Sequence, residues 1–430
     1  MQLLHPDDIP TLVYANDKGE IKNFPGLYMV GRSGNFFCKP HLDDLIPLPE
    51  GSELFLLPDR RPIGVSPGDD DPMVFDHDPD APGETIQAVA AFMAPAHTAI
   101  QSAAYEPARN DLAPLPLFAY TAVGWLKGIF WVSAFRSDPD NRQDARCFDP
   151  EKIKKKTVRL LKKNPQNRLI QHLGKCCLIY GCPAARNYFL GRWEAPLPTS
   201  PICNARCVGC ISLQPSGCCP ATQDRINFVP RVSEIAAIAV PHLQHAPDAI
   251  VSFGQGCEGE PLLQASVLEK AIRSIRSRTQ RGTININSNA SLPAKIKLLA
   301  EAGLDSLRVS LNSARAEYHA RYYRPVDFSF ADVLESIDIM KMAGKFVSLN
   351  YFILPGFSDD PDEFAALCRL IEEHRPDLIQ LRNLNMDPDW YLETVGYAPG
   401  TPPMGICTWF AELKQLFPML RFGYFNPALR

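Results

Sequence analysis

The chain lacks a strong excess of charge of either sign. Its 44 lysines and arginines face 48 aspartates and glutamates, a formal net charge of −4 over 430 residues. That balance excludes a bulk electrostatic pull toward nucleic acid or an anionic membrane. A long uninterrupted apolar run is also missing. The stretch from Pro114 to Phe135 comes nearest, and Gly124-Trp-Leu-Lys-Gly128 breaks it with a turn and a charge, so two paired strands are expected there. No internal repeat is present. The start, MQLLHPDDIPTL, has neither the basic segment nor the apolar core of a secretory leader, and a cytoplasmic location is expected. In a reducing compartment 13 cysteines are not a disulfide framework; they read as metal or redox ligands. They are unevenly spread, for only Cys368 and Cys407 follow Cys257.

Three of them stand close together in the run CNARCVGC. Cys203-x3-Cys207-x2-Cys210 offers three thiolates within one short loop. Soft sulfur ligands favour iron–sulfur clusters or zinc over hard cations. Three thiolates can hold three irons of a [4Fe–4S] cube and leave the fourth iron open. Zinc is the competing reading, with Cys218 or Cys219 as fourth ligand, although zinc sites usually present C-x2-C pairs.

Downstream, β-type runs alternate with amphipathic helical runs. The strand-like runs are 249–254, 282–290, 306–313, 346–356 and 378–385, rich in β-branched and large apolar residues. Between them Val267, Ala271 and Ile275 recur at helical spacing, as do Val333, Ile337 and Met340, and Phe364, Leu367, Cys368 and Ile371. Pro261 and Pro293 mark helix starts, Gly303 and Gly344 mark helix ends, and Ser329 with Asp332 has the form of a cap. Short connections between alternating strands and helices imply parallel strands joined by right-handed crossovers. One further strand before Cys203 gives an α/β fold, a partial (β/α)6 barrel. Its chemistry is expected at the carboxyl ends of the strands.

Polar residues gather at those ends. The first run leads into GQGCEGEPLL, where glycines let the backbone approach a ligand and Glu260 places a carboxylate beside it. The second ends in Asn287, Ser288 and Asn289, and the third in Ser310, Asn312 and Ser313. Arg308, Arg321 and Arg324 follow on the same unit. Turn and cap chemistry is the competing reading for Glu260 and for the asparagines and serines, and surface salt bridging for Arg324.

The cysteine spacing together with the glycine motif resembles the radical SAM superfamily over residues 196–385. The resemblance implies a [4Fe–4S] cluster on Cys203, Cys207 and Cys210. It implies S-adenosylmethionine (SAM) on the open iron, with Gly259 and Glu260 receiving the methionyl ammonium. Asn287, Asn289, Ser310, Asn312 and Arg324 are its candidate ribose and carboxylate contacts. It also implies a one-electron reductant such as flavodoxin or ferredoxin, and reductive cleavage of SAM to a 5′-deoxyadenosyl radical. That radical takes hydrogen from a peptide, protein or small molecule. The resemblance assigns no catalytic side chain. Cys257 departs from the pattern, since it sits inside the glycine motif where a glycine or plain apolar residue is usual. The lack of a cysteine-rich extension after the barrel argues against the peptide-maturing branch with two auxiliary clusters.

Other readings stay open. Cys176, Cys177, Cys182, Cys218 and Cys219 are candidates for a second iron–sulfur cluster, against buried free thiols. A methyl- or sulfur-transferring relative would use such a cluster, or Cys407, as carrier. A non-enzymatic iron–sulfur or zinc protein is the third reading. Trp193, Trp390 and Tyr391 are candidate pocket walls. The expected organisation is a β-rich accessory domain at 1–140, a basic helix and cysteine-bearing linker at 141–195, the core barrel at 196–385 and a closing extension at 386–430. The 40 prolines, about twice the usual share, imply rigid loops, and 67–82 reads as one. Hairpin turns are expected at 14–21 and 31–34, and a strand at 53–57. The basic helix from about Asp149 to Lys163 is expected to carry an apolar stripe of Ile153, Val158, Leu160 and Leu161. Its lysines read as a solvated face, and no stacking aromatics accompany them to bind RNA.

Overall fold

The computed structural model describes residues 9–214, 217, 219–398 and 401–430. Two compact units divide the chain. One comprises 1–145, 352–366 and 381–418; the other comprises 146–351, 367–380 and 419–430.

The first unit is built on antiparallel strands. Thr11–Ala15 pairs with Ile21–Met29 across a turn that Gly19 enters at φ 78°. Val123–Leu126 pairs with Ile129–Arg136, and Lys127 and Gly128 between them both have positive φ, 51° and 87°. Two such residues twist the turn with the hand of the strands it joins. The two paired strands expected in the apolar stretch therefore form, within its second half. Val13, Ala15, Val89, Ala91, Val123, Val132 and Ala134 close one core cluster. No helix among the described residues is long and apolar enough to cross a membrane. The acidic segment at 67–82 is not wholly a loop, since it contains the short strands Met73–Val74 and His77–Asp78. Buried Asp78 anchors it by accepting from the Tyr14 hydroxyl and the Lys22 ammonium, both at 2.9 Å.

In the second unit the helix Pro150–Lys163 is capped by Asp149, whose carboxylate accepts from the Lys152 amide at 3.0 Å. Its buried positions are Ile153 and Thr157, while Val158 is exposed and Leu160 and Leu161 are half-buried. The expected stripe is thus narrower, and a threonine carries half of it. Thr157 fits because its hydroxyl meets the Cys177 thiol at 3.4 Å, which satisfies it inside the contact. The lysines lie on the exposed face.

A seven-stranded sheet follows, in the order Glu194–Pro196, Ile250–Phe253, Thr283–Ser288, Ser306–Leu311, Phe346–Ile353, Leu378–Asn383, Arg421–Gly423. The strands run parallel and form a half-barrel. Every residue of Ile250–Phe253 and Thr283–Ser288 is buried, as expected of strands covered on both faces. The sheet holds one strand more than the expected six. The seventh is three residues long, too short to show a period in sequence. Helix ends follow the expected chemistry. Pro293 opens Pro293–Ala302, Gly303 closes it at φ 115°, and Ser329 and Asp332 form a capping box.

The amino ends of the strands are tied by Asp305. Its carboxylate pairs with Arg276, accepts from the Ile284 amide at 2.8 Å and meets Arg430 at 2.8 Å. Asp305 and Arg276 are only 5% and 9% exposed. Removing one member of such a pair leaves the other charged and buried, which costs about 3–5 kcal/mol. Asp305→Ala is therefore expected to lower unfolding free energy by about that amount in urea titration. Iron content of the folded protein should not change, because this face is remote from the strand ends that carry the site.

Candidate functional site

The site is built where the first strand leaves the sheet. After Glu194–Pro196 the chain runs out through Thr199–Ile202 and into the cysteine loop. Two backbone bonds fasten that exit to the turn after Ile250–Phe253: Gly259 donates to the Ser200 carbonyl at 2.7 Å and Glu260 to the Ile202 carbonyl at 2.9 Å. A β-carbon on residue 259 would lie 2.0 Å from the Ile202 oxygen, so only glycine allows this approach. At the other end of the turn Gly254 has φ 76°, and a β-carbon there would fall 1.7 Å from the Asn287 oxygen.

A second segment holds the loop from the opposite side. The amides of Arg206 and Val208 donate to the carbonyls of Tyr323 and Tyr322 at 2.9 and 3.1 Å, and Val326 donates back to Asn204 at 2.9 Å. The Asn204 side chain donates to the Ser291 hydroxyl and accepts from Asn289, each at 2.9 Å. Cys203, Cys207 and Cys210 are all partly buried. Cys210 receives Arg225 at 3.4 Å and has the Ser212 hydroxyl at 3.8 Å.

Two carboxylates stand behind the loop. Glu258 accepts from the amides of Thr199, Ser200 and Gln255 at 2.7, 2.9 and 2.7 Å, and from the Thr199 hydroxyl at 3.2 Å. Glu260 accepts from the Ser288 hydroxyl at 2.6 Å and from the amides of Asn289 and Leu262 at 2.9 and 3.0 Å. The two are 5% and 4% exposed, and burial pushes each up to about 7. Burial also pushes the Cys203 thiol up to about 11, with the Glu260 charge adding to it, and raises Cys207 further. The thiolates of Cys203 and Cys207 and the two carboxylates need positive charge nearby to stay ionised. A bound metal centre would supply it.

The spacing of the sulfurs separates two kinds of centre. Among the described residues, three or more histidine, cysteine or acidic ligand atoms lie within 4.8 Å of one another only at His172, Cys176 and Cys257. At least one pair of the sulfurs of Cys203, Cys207 and Cys210 therefore stands more than 4.8 Å apart, wider than the about 3.8 Å at which a single tetrahedral ion holds two sulfurs. Ligands of three different irons in a cube stand farther apart.

The remaining sequence candidates are placed as follows. The Asn287 amide donates to the Gly254 carbonyl at 2.7 Å, so it ties two strand ends together. Asn289 bridges Glu260 and the cysteine loop. Ser310 is half-buried near the end of Ser306–Leu311. Asn312 is fully buried, and its amide donates to the Tyr318 carbonyl at 3.2 Å, which is turn chemistry. Arg324 is exposed at the left-handed end of Ala316–Tyr323, in the segment bridged to the cysteine loop through Ala205 and Pro325. Arg308 reaches Gln380 at 3.4 Å, and Arg321 is exposed.

Two expectations need correction. Among the described residues, no three of the five auxiliary cysteines bring their sulfurs within 4.8 Å of one another. Cys176 meets His172 and Cys257, Cys177 meets Thr157, Cys182 caps the next helix, and Cys219 is buried; Cys218 lies outside the described residues. Helical geometry explains the split, because adjacent residues 176 and 177 point about 100° apart. Trp193 is not a pocket wall. It is 1% exposed, packs edge-on against Phe425, and its carbonyl receives the Ile250 amide at the amino end of the strands. In the other unit, Tyr391 is likewise buried, against Phe357. Desolvation and the Asp44 carboxylate push the thiol of Cys407 up to about 12.

Asn204, Glu258, Thr199, Ser200 and Arg225 were not singled out in sequence. Glu258 and Asn204 lie inside the quoted motifs, but nothing local says which of two nearby glutamates binds the backbone and which faces the loop.

Residues 197–368 match the family model of the radical SAM superfamily. A GTP 3′,8-cyclase of Lactiplantibacillus plantarum is 30% identical over 164 residues, covering 37% of this chain and 45% of that protein. Another, of Pelotomaculum thermopropionicum, is 27% identical over 228 residues, covering 53% and 65%. The solved structure of a methylornithine synthase aligns at TM-score 0.38 and 15% identity, covering 56% of this chain and 68% of that one. The chain spans about half the length of the curated relatives it matches. Through residues 197–368 it belongs to the radical SAM superfamily. Membership implies a [4Fe–4S] cluster and SAM, and enzymes of the superfamily need a reductant.

Proposed function

We propose that this chain is a radical SAM enzyme whose Cys203, Cys207 and Cys210 hold the cluster and whose Gly259–Glu260 turn receives SAM. Once both are bound, an electron from flavodoxin or ferredoxin in a reducing cytoplasm splits SAM to methionine and a 5′-deoxyadenosyl radical, which takes hydrogen from the substrate. The observation that carries this reading is the pair of backbone bonds from Gly259 and Glu260 to Ser200 and Ile202. They fix the cysteine loop and the Glu260 carboxylate to one rigid strand end. Glu260 has three donors on its two oxygens, and Oε2 takes only the Asn289 amide. A carboxylate has about four acceptor positions, so Oε2 retains one for an ammonium. Asn204, bonded to Asn289 and Ser291, keeps the first turn of the cysteine loop against the same strand end.

The wide spacing of the three sulfurs supports a cluster over a zinc staple. Anaerobic reconstitution is expected to load about four irons with absorption near roughly 400 nm. Added SAM and dithionite should then yield 5′-deoxyadenosine and methionine. Failure of the loaded protein to cleave SAM would reject the enzymatic reading.

A further inference from the structure

We propose that His172, Cys176 and Cys257 form a separate zinc site. His172 and Cys176 are one turn apart on the helix Arg168–Leu178, so their side chains share a face. Cys257 arrives from the glycine turn between Gly254 and Gly259. The three ligand atoms lie within 4.8 Å of one another, and His172 Nε2 is 3.6 Å from Cys176 Sγ. Tetrahedral zinc, with Zn–S about 2.3 Å and Zn–N about 2.0–2.1 Å, holds a sulfur and a nitrogen about 3.5 Å apart. The ligands therefore already stand near the span that such an ion requires. This is the close spacing that the three-cysteine loop lacks.

Cys176 and Cys257 are 1% and 5% exposed, so the site is closed rather than open to substrate. Two thiolates and an imidazole select zinc over magnesium or calcium. Binding expels the protons of the ligating thiols to solvent. Structural zinc takes four ligands. Cys182 begins the next helix, with its amide on the Cys176 carbonyl at 3.0 Å, and its thiol is the candidate fourth ligand. The ion would clip the helix Arg168–Leu178 to the turn that carries Glu258 and Glu260, and so fix the floor of the SAM site from behind. The inference stands without the proposed activity, because it uses none of the three cysteines of the loop.

The test is elemental analysis of the full chain, purified anaerobically from zinc-supplemented cells. About one zinc per chain is expected, in the wild type and equally in the Cys203, Cys207 and Cys210 triple alanine variant. Zinc-edge X-ray absorption of the wild type should show sulfur at about 2.3 Å and nitrogen at about 2.0–2.1 Å. This measurement needs no variant to fold. Cys176→Ser and Cys257→Ser should each lose zinc to a chelator concentration that leaves the wild type loaded. Four results would overturn the proposal: a zinc-free wild type, zinc undiminished in Cys257→Ser, iron in place of zinc in the triple variant, or a Cys176–Cys257 disulfide in peptides of the anaerobic protein.

Discussion

Alanine at Cys203, Cys207 and Cys210 together is expected to remove about four irons per chain and to abolish 5′-deoxyadenosine formation. The three sulfurs are the only protein ligands the cluster would have, and no other cysteine of the described residues joins them within a single ion's reach. The loop does not depend on the metal for its path. Its backbone is held by Tyr322 and Tyr323 on one side, by the Gly259 turn at its base and by Asn289 and Ser291 through Asn204. The variant should therefore fold, with near-wild-type circular dichroism, and lose the absorption near roughly 400 nm. Burial holds the Cys203 and Cys207 thiols protonated in the apo protein, so their replacement removes no charge and apo stability should not fall sharply. Full iron content in the folded triple variant would place the cluster elsewhere.

Much of this site was legible in sequence because its chemistry is contiguous. Three thiolates in one loop, and two glycines beside a glutamate after a strand, need no tertiary information to be noticed. The strand–helix alternation was legible for the same reason: Val333, Ile337 and Met340 repeat at one spacing, and all are buried in Phe330–Met342. What stayed hidden depends on convergence. His172 and Cys257 are far apart in the chain and meet only when a linker helix packs behind the glycine turn. Cys257 looked like a departure from the motif; its meaning lies in its neighbours. Glu258 and Glu260 are separated by one residue, yet one is spent on the amides of Thr199 and Ser200 and the other on Ser288 and Asn289. Only the register of the turn decides that. Trp193 misled because an aromatic near a cysteine motif says nothing about which end of the strand it occupies.

Glu260→Gln is the sharpest test of how SAM is held. A methionyl ammonium beside an ionised carboxylate makes a charge-assisted hydrogen bond worth about 1.5–3 kcal/mol. Each 1.4 kcal/mol is about tenfold in affinity, so the variant should bind SAM roughly ten- to a hundredfold more weakly. Iron content should be unchanged, since Glu260 is not a cluster ligand. The pH dependence adds a second readout. Burial pushes Glu260 up to about 7. Only its ionised form attracts the ammonium, so wild-type affinity should fall by up to about tenfold per pH unit as the pH drops below about 7. The sign for stability is opposite. A carboxyl raised from 4.5 to about 7 favours the folded state when protonated, and that contribution is lost as pH rises through about 7. Bound SAM should offset the loss, so its stabilising effect should grow with pH in the wild type. Glu258 is raised equally but is enclosed by Thr199, Ser200 and Gln255. Any slope in SAM affinity that survives in the Gln variant therefore belongs to Glu258. Anaerobic calorimetry across this range decides the matter: wild-type affinity and slope in Glu260→Gln would mean that the carboxylate only caps the helix start at Pro261.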